Sequence, residues 1–174
     1  MDLRRLLVST AAGALALTVT VPASAEATTA SITVTGGSLT ITAPADAGGL
    51  GGQVSAAAGG TLGGRLGQVE VVDARSAPAG SSWVASVVST DFVPTSGPAI
   101  PAAAVGYTAG TITKVGTASY LANDPADLTA VTAAVTATEV TGDNAATWNP
   151  TISVTVPPGV AAGVYSATIT HSVV

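Results

Sequence analysis

Apolar and polar residues alternate with period two along several short stretches of the 174-residue chain. In Ser31–Thr35, Ile32 and Val34 face one way and Thr33 and Thr35 the other. In Leu39–Ala43, Leu39 and Ile41 oppose Thr40 and Thr42. In Thr151–Val156, Ile152, Val154 and Val156 oppose Thr151, Ser153 and Thr155. Near the end, Tyr165, Ala167, Ile169, His171 and Val173 line one face, and Ser166, Thr168, Thr170 and Ser172 the other. This pattern predicts strands with one dry and one wet face, which favours antiparallel pairing. The Val, Thr and Ile that dominate these runs are stiff at χ1 and suit strands.

Turn signals separate the runs. Pro44 to Gly52 is rich in Ala and Gly, Ala77-Pro-Ala-Gly80 divides two strand-like runs, and Pro157-Pro158-Gly159 with Gly163 brackets the last connection. Short strands with such turns point to an all-β chain folded as an antiparallel β-sandwich. Leu128–Val140 is the ambiguous stretch: its Thr and Val favour strand, while its four alanines leave a helix open.

The first 25 residues have a different pattern. Arg4 and Arg5 precede an apolar run from Leu6 to Val21, followed by the small-residue site Ala23-Ser24-Ala25. That order reads as a signal peptide, cut after Ala25, which makes the protein secreted or cell-surface. The run is interrupted by Ser9, Thr10, Thr18 and Thr20 and is marginal for a bilayer span of about 20 apolar residues. The expected organisation is therefore a signal peptide over residues 1–25, a lead-in over 26–35 carrying a candidate first strand, and one domain over 36–174.

Composition changes the picture in two ways. Residues 26–174 hold 3 basic and 9 acidic side chains, too few cations to neutralise a row of phosphates, so nucleic acid is not an expected partner. There is no cysteine, so stability must come from burial and backbone pairing rather than disulfides. Aromatic residues are only 3% of the chain, so its few large side chains should carry a disproportionate share of the core.

The candidate chemistry is sparse. His171 is the only histidine, and no G-x-S-x-G elbow is present to expose a serine nucleophile. One His without Cys excludes an ordinary zinc site, so no metal or cofactor is expected. Asp124, Asp127, Asp143 and Asn144 read as turn residues rather than calcium ligands. Glu70, Asp73, Asp91 and Glu139 could supply a carboxylate pair, but nothing in the sequence selects one. In Val69–Arg75, alternation places Asp73 and Arg75 on the face of Val69 and Val71, as an ion pair expected to end the strand. Trp83 shares a face with Ala85 and Val87, whose small size leaves room for a core indole. No enzymatic activity is expected.

Three groups of residues together resemble the WxL-type surface domain of Gram-positive cell envelopes. They are Gly37–Pro44, then Val71–Arg75 leading into Trp83–Val87, and finally Ala146–Pro157 with Gly163–Val173. The resemblance implies an immunoglobulin-like sandwich over 36–174 that associates non-covalently with the cell wall, with peptidoglycan as the ligand. Its motif positions fall on Trp83, Ala85, Tyr165, His171 and Val173. Ala85 and Val173 stand where the family has Leu, and His171 stands where it has a second Trp. With no sorting motif, C-terminal span or basic tail in the sequence, attachment is expected to use hydrogen bonds and apolar contact rather than charge. The alternative expectation is a self-assembling subunit of a surface fibre or coat, since Thr/Val strands of low charge leave sheet edges unprotected.

Overall fold

The computed structural model describes residues 30–174; residues 1–25, where the sequence predicts a signal peptide, lie outside them. Ten strands and a single 3-10 turn, Ala102–Ala104, make up the regular structure of the described residues, and every pairing is antiparallel. The strands are β1 (Leu39–Thr42), β2 (Gly60–Arg65), β3 (Val69–Ser89), β4 (Val93–Pro94), β5 (Val105–Thr108), β6 (Thr113–Ala122), β7 (Thr132–Trp148), β8 (Thr151–Val156), β9 (Tyr165–Ser166) and β10 (Ile169–Val173).

A five-stranded sheet is built on the long β3–β7 ladder. β6 flanks β7, while β1 and β10 share the other flank of β3. A three-stranded sheet has the order β2-β8-β5, and β4 pairs β9 in a small separate ladder. Val69, Val71, Trp83, Val135 and Val140 of the first sheet join Val105, Tyr107, Ile152 and Val154 of the second in one apolar core. Two sheets sharing a core is an arrangement consistent with a β-sandwich.

The chain crosses between the sheets at two adjacent places. Residues 66–68 carry it from β2 to β3, and Asn149-Pro150 carries it from β7 to β8. Leu66 N–H donates to the Pro150 carbonyl (3.0 Å), and Gly67 N–H donates to Asn149 Oδ1 (3.2 Å), so each crossing satisfies polar backbone of the other. Gly67 has φ +96°, and a Cβ there would lie 2.7 Å from Pro44 Cγ, so both conformation and space require glycine.

The strand pattern read from the sequence is found at β1, β8 and β10, and Leu128–Val140 is strand from Thr132 onward. Three expectations are corrected. First, Ser31–Thr35 is not a strand: residues 30–38 belong to none, with Ile32 and Val34 89% and 81% exposed. Alternation supplies a suitable strand but no partner, because the β1–β3 register stops at Leu39↔Asp73, where β3 begins to bulge. Second, the Asp73–Arg75 pair does not end a strand. Third, Ala77–Gly80 does not separate two strands. β3 runs through both, with register shifts against β7 between Asp73 and Ala77 and again between Ala77 and Ser81. The bulges absorb Ser76 at φ 52°, Gly80 at φ 84° and Pro78, which has no N–H to offer the ladder. β7 has a matching slip at Glu139 (φ 56°), so Ala137 and Val140, three residues apart, are both buried.

Candidate functional site

Four of the five positions marked by the sequence resemblance, Trp83, Ala85, His171 and Val173, fall on the adjacent strands β3 and β10. β10 pairs β3 with Val173 opposite Ala85 and His171 opposite Val87. Trp83 precedes them on β3 and is 1% exposed. Its indole reaches across β7, where Ala137 is paired with both Trp83 and Tyr120. The small Ala137 lets the two rings meet, with centroids 5.6 Å apart and planes tilted by 54°. Trp83 Nε1 has no hydrogen-bond partner among the described residues. Tyr165 stands apart from His171, on the short strand β9, with its hydroxyl donated to the Ala161 carbonyl (2.8 Å).

The second tryptophan, Trp148, ends β7 and is 2% exposed. Its Nε1–H donates to Tyr107 Oη of β5 at 2.7 Å. His171 Nε2 lies 3.3 Å from the same hydroxyl, with ring centroids 5.7 Å apart. One phenol thus ties together β7, β5 and β10, and so both sheets. Burial pushes the Tyr107 phenol far above the ordinary tyrosine range. Burial also holds the His171 pKa below its usual value, and Nδ1 has no partner among the described residues. Sequence reading missed Tyr107; its only signal was the alternation of Val105 and Tyr107 against Gly106 and Thr108, over too few residues to mark a strand.

Beside His171 lies a cleft of about 1110 Å³. One wall is Ile169 and His171 of β10; the other is Leu62 of β2 with Val154 and Val156 of β8. The Gly-rich segment 43–54 and residues 160–168 form its rim. Asp46 is the one carboxylate among the residues that line it, and its Oδ1 accepts the Gly48 N–H at 2.8 Å.

The Asp73–Arg75 pair forms with a two-pronged geometry: Nε to Oδ1 at 2.8 Å and Nη2 to Oδ2 at 2.9 Å. Asp73 is 1% exposed, and the Arg75 guanidinium beside it holds its carboxyl below the usual carboxylate range. Arg75 is in turn held protonated more firmly than usual by that carboxylate.

Most of the remaining acids accept hydrogen bonds from backbone N–H groups. Asp91 Oδ1 accepts the Ala102 N–H and Asp124 Oδ1 the Ala109 N–H, each at 2.8 Å. Asp127 accepts from Thr129 N–H and Oγ1, bonds that lower its carboxyl pKa. Asp143 Oδ1 accepts from Ser76 N–H (2.9 Å) and bridges the β3 bulge to β7. Ser119 Oγ donates to Glu139 Oε2 at 2.8 Å. Asn144, buried, accepts from the Tyr120 hydroxyl (3.3 Å) and donates to the Gly142 carbonyl (3.1 Å). Glu70 is apart from Asp73, since successive residues of a strand point to opposite faces. No group of three or more His, Cys, Asp or Glu that could hold a metal ion occurs among the described residues.

Compared with protein-family models, with curated proteins and with solved structures, the chain matches none.

Proposed function

We propose that this chain is an exported, non-enzymatic protein of the bacterial cell surface: an immunoglobulin-like sandwich of WxL type, held to the wall without a covalent link. Peptidoglycan is the ligand that the resemblance implies. The observation that carries the reading is the pairing of Ala85 with Val173 and of Val87 with His171. Two sequence stretches that resemble one family's motifs, far apart in the chain, lie side by side on adjacent strands. Apart from Glu70, the acidic side chains described above are occupied with backbone N–H groups, hydroxyls or Arg75, which supports a structural rather than catalytic use of them.

A pull-down on isolated peptidoglycan tests the proposal. The protein is expected in the wall pellet, with retention little changed by salt, because its net negative charge gives it no electrostatic route to an anionic polymer. Protein left in the supernatant at every salt concentration counts against it.

A second reading, a self-assembling subunit of a surface fibre or coat, is favoured by the sheet edges. β6 forms one edge of the five-stranded sheet, with Val115 and Leu121 68% and 62% exposed. Exposed apolar side chains on an edge strand invite pairing with another chain. Concentration-dependent oligomers that do not bind the wall would favour this reading over the first.

A further inference from the structure

We propose that the open edge of β10 accepts residues 31–35 of a second copy of this chain as an added strand. Three observations converge on that contact.

The first is the direction of the β10 backbone. Val84 and Val174 exchange both N–H···O=C bonds (2.9 and 3.1 Å), and Thr90 N–H donates to the Thr168 carbonyl (3.0 Å). These bonds set the phase of the ladder, so the even-numbered residues of β10 face β3. In an antiparallel ladder the alternate residues turn both backbone groups the other way. Ile169, His171 and Val173 therefore present N–H and C=O away from β3, on a side where β10 has no hydrogen-bonded strand among the described residues, although β1 lies against part of it.

The second is the cleft along that edge. Leu62, Val154 and Val156 on one side and Ile169 on the other line a space of about 1110 Å³, which residues 43–54 and 160–168 also border. A strand laid against β10 would direct every second side chain into that space.

The third is the segment itself. Ser31–Thr35 alternates as a strand does, carries no charge, and belongs to no strand in its own chain, with Ile32 and Val34 almost fully exposed. Placed beside β10, Ile32 and Val34 enter the cleft, while Thr33 lies on the outer face near Thr170 and Ser172. Main-chain hydrogen bonds supply affinity in such strand addition, and the side-chain pockets supply selectivity. Because each copy offers one segment and one edge, the contact is head-to-tail and propagates into a chain of subunits unless it closes into a ring.

The inference deepens the second reading above and rests on the export reading only in that cleavage leaves residues 26–35 as a free N-terminus. Wall binding and self-association have separate readouts, so either can fail alone. The test is sedimentation velocity of the exported protein over micromolar to millimolar concentrations. The expected result is an average mass that rises with concentration. A double variant, Ile32→Lys with Val34→Lys, is expected to associate at least about a hundredfold more weakly, since it would bury two charges in an apolar cleft. Its melting temperature should not move, because both side chains lie outside the strands. The chain has no cysteine, which allows a direct check of the contact. Thr33→Cys protein mixed with Thr170→Cys or Ser172→Cys protein should give a disulfide-linked dimer of two chains, whereas mixing it with Thr113→Cys protein, on the far edge, should not. A monomer at all concentrations, undiminished association of the double variant, or a Thr33→Cys/Ser172→Cys double variant that cross-links only within one chain would each overturn the proposal.

Discussion

The two tryptophans are equally buried and solve burial differently. Trp83 has shape without chemistry: an indole fitted against Tyr120 over the small Ala137, its N–H unpartnered. Trp148 has both, because its N–H ends on the Tyr107 hydroxyl, which also lies against His171. A core of Val and Ala can make room for a large ring almost anywhere, but it offers a polar atom a partner only where another polar side chain was buried for the purpose. The Trp83 end is held by packing, and the Trp148 end by packing and a polar junction between sheets.

Removing either ring should produce the largest effects. Trp83→Ala and Trp148→Ala are each expected to cost about 3–5 kcal/mol in denaturant unfolding, the range for a large aromatic truncated in a core. A loss below about 1 kcal/mol at Trp83 would mean that the small residues around it collapse into the space.

Replacement by phenylalanine separates the two ends more sharply. Trp148→Phe leaves the Tyr107 hydroxyl without its donor and should cost about 1–3 kcal/mol beyond the loss of ring area. Trp83→Phe removes an N–H that had no partner and should show no such excess. Equal costs for the two variants would erase the distinction.

The face shared by Trp83, Ala85 and Val87 was legible in the sequence because strand alternation with small neighbours is a local signal. So was the geometry that brings Asp73 to Arg75. The fates of Pro78 and Ser31–Thr35 were not legible. Whether a proline breaks a strand depends on whether the partner tolerates a bulge there, and whether an alternating segment becomes a strand depends on a free edge in the right place. Tyr107 was illegible for the same reason: it acts on Trp148 and His171, 41 and 64 residues away. The cleft is rimmed by Gly- and Ala-rich connections whose composition signals a turn and nothing about what the turn encloses.

Acidity should weaken the β3 bulge next. The Asp73 carboxyl titrates below its unfolded value of about 3.8 because Arg75 stabilises its charge. The unfolded chain therefore takes up that proton first, and the stability from the pair is present above about pH 4 and lost as pH falls through the folded value. Asp73→Asn should flatten this acid limb of a stability–pH curve and cost about 1–3 kcal/mol at neutral pH, as for a lost hydrogen bond to a charged group. An unchanged acid limb would show that the pair contributes nothing.

The smallest effect belongs to the Trp148 end. Burial lowers the His171 pKa, so the unfolded chain protonates first near pH 6.5, and stability should fall modestly as pH drops through that value toward the folded one. Proton NMR of the single histidine reads this directly, and a pKa at or above 6.5 would place an acid or open solvent beside the ring. His171→Trp, which adds apolar area against the cleft, should leave the fold intact, remove this pH dependence and raise stability.

The flank of β3 has a consequence for the order in which the chain can fold. β3 contributes Trp83 to the core, yet the strand beside that half is β10, whose His171 pairs with Val87 across about half of the sequence. β7, on its other side, also comes much later than β3. Neither neighbour can zip from a local turn, so loop closure must precede most of the gain from burial, and folding should be slow for a chain of this size. Under the export proposed above, that delay would be useful, because β3 lacks its β10 neighbour until the last strand has emerged.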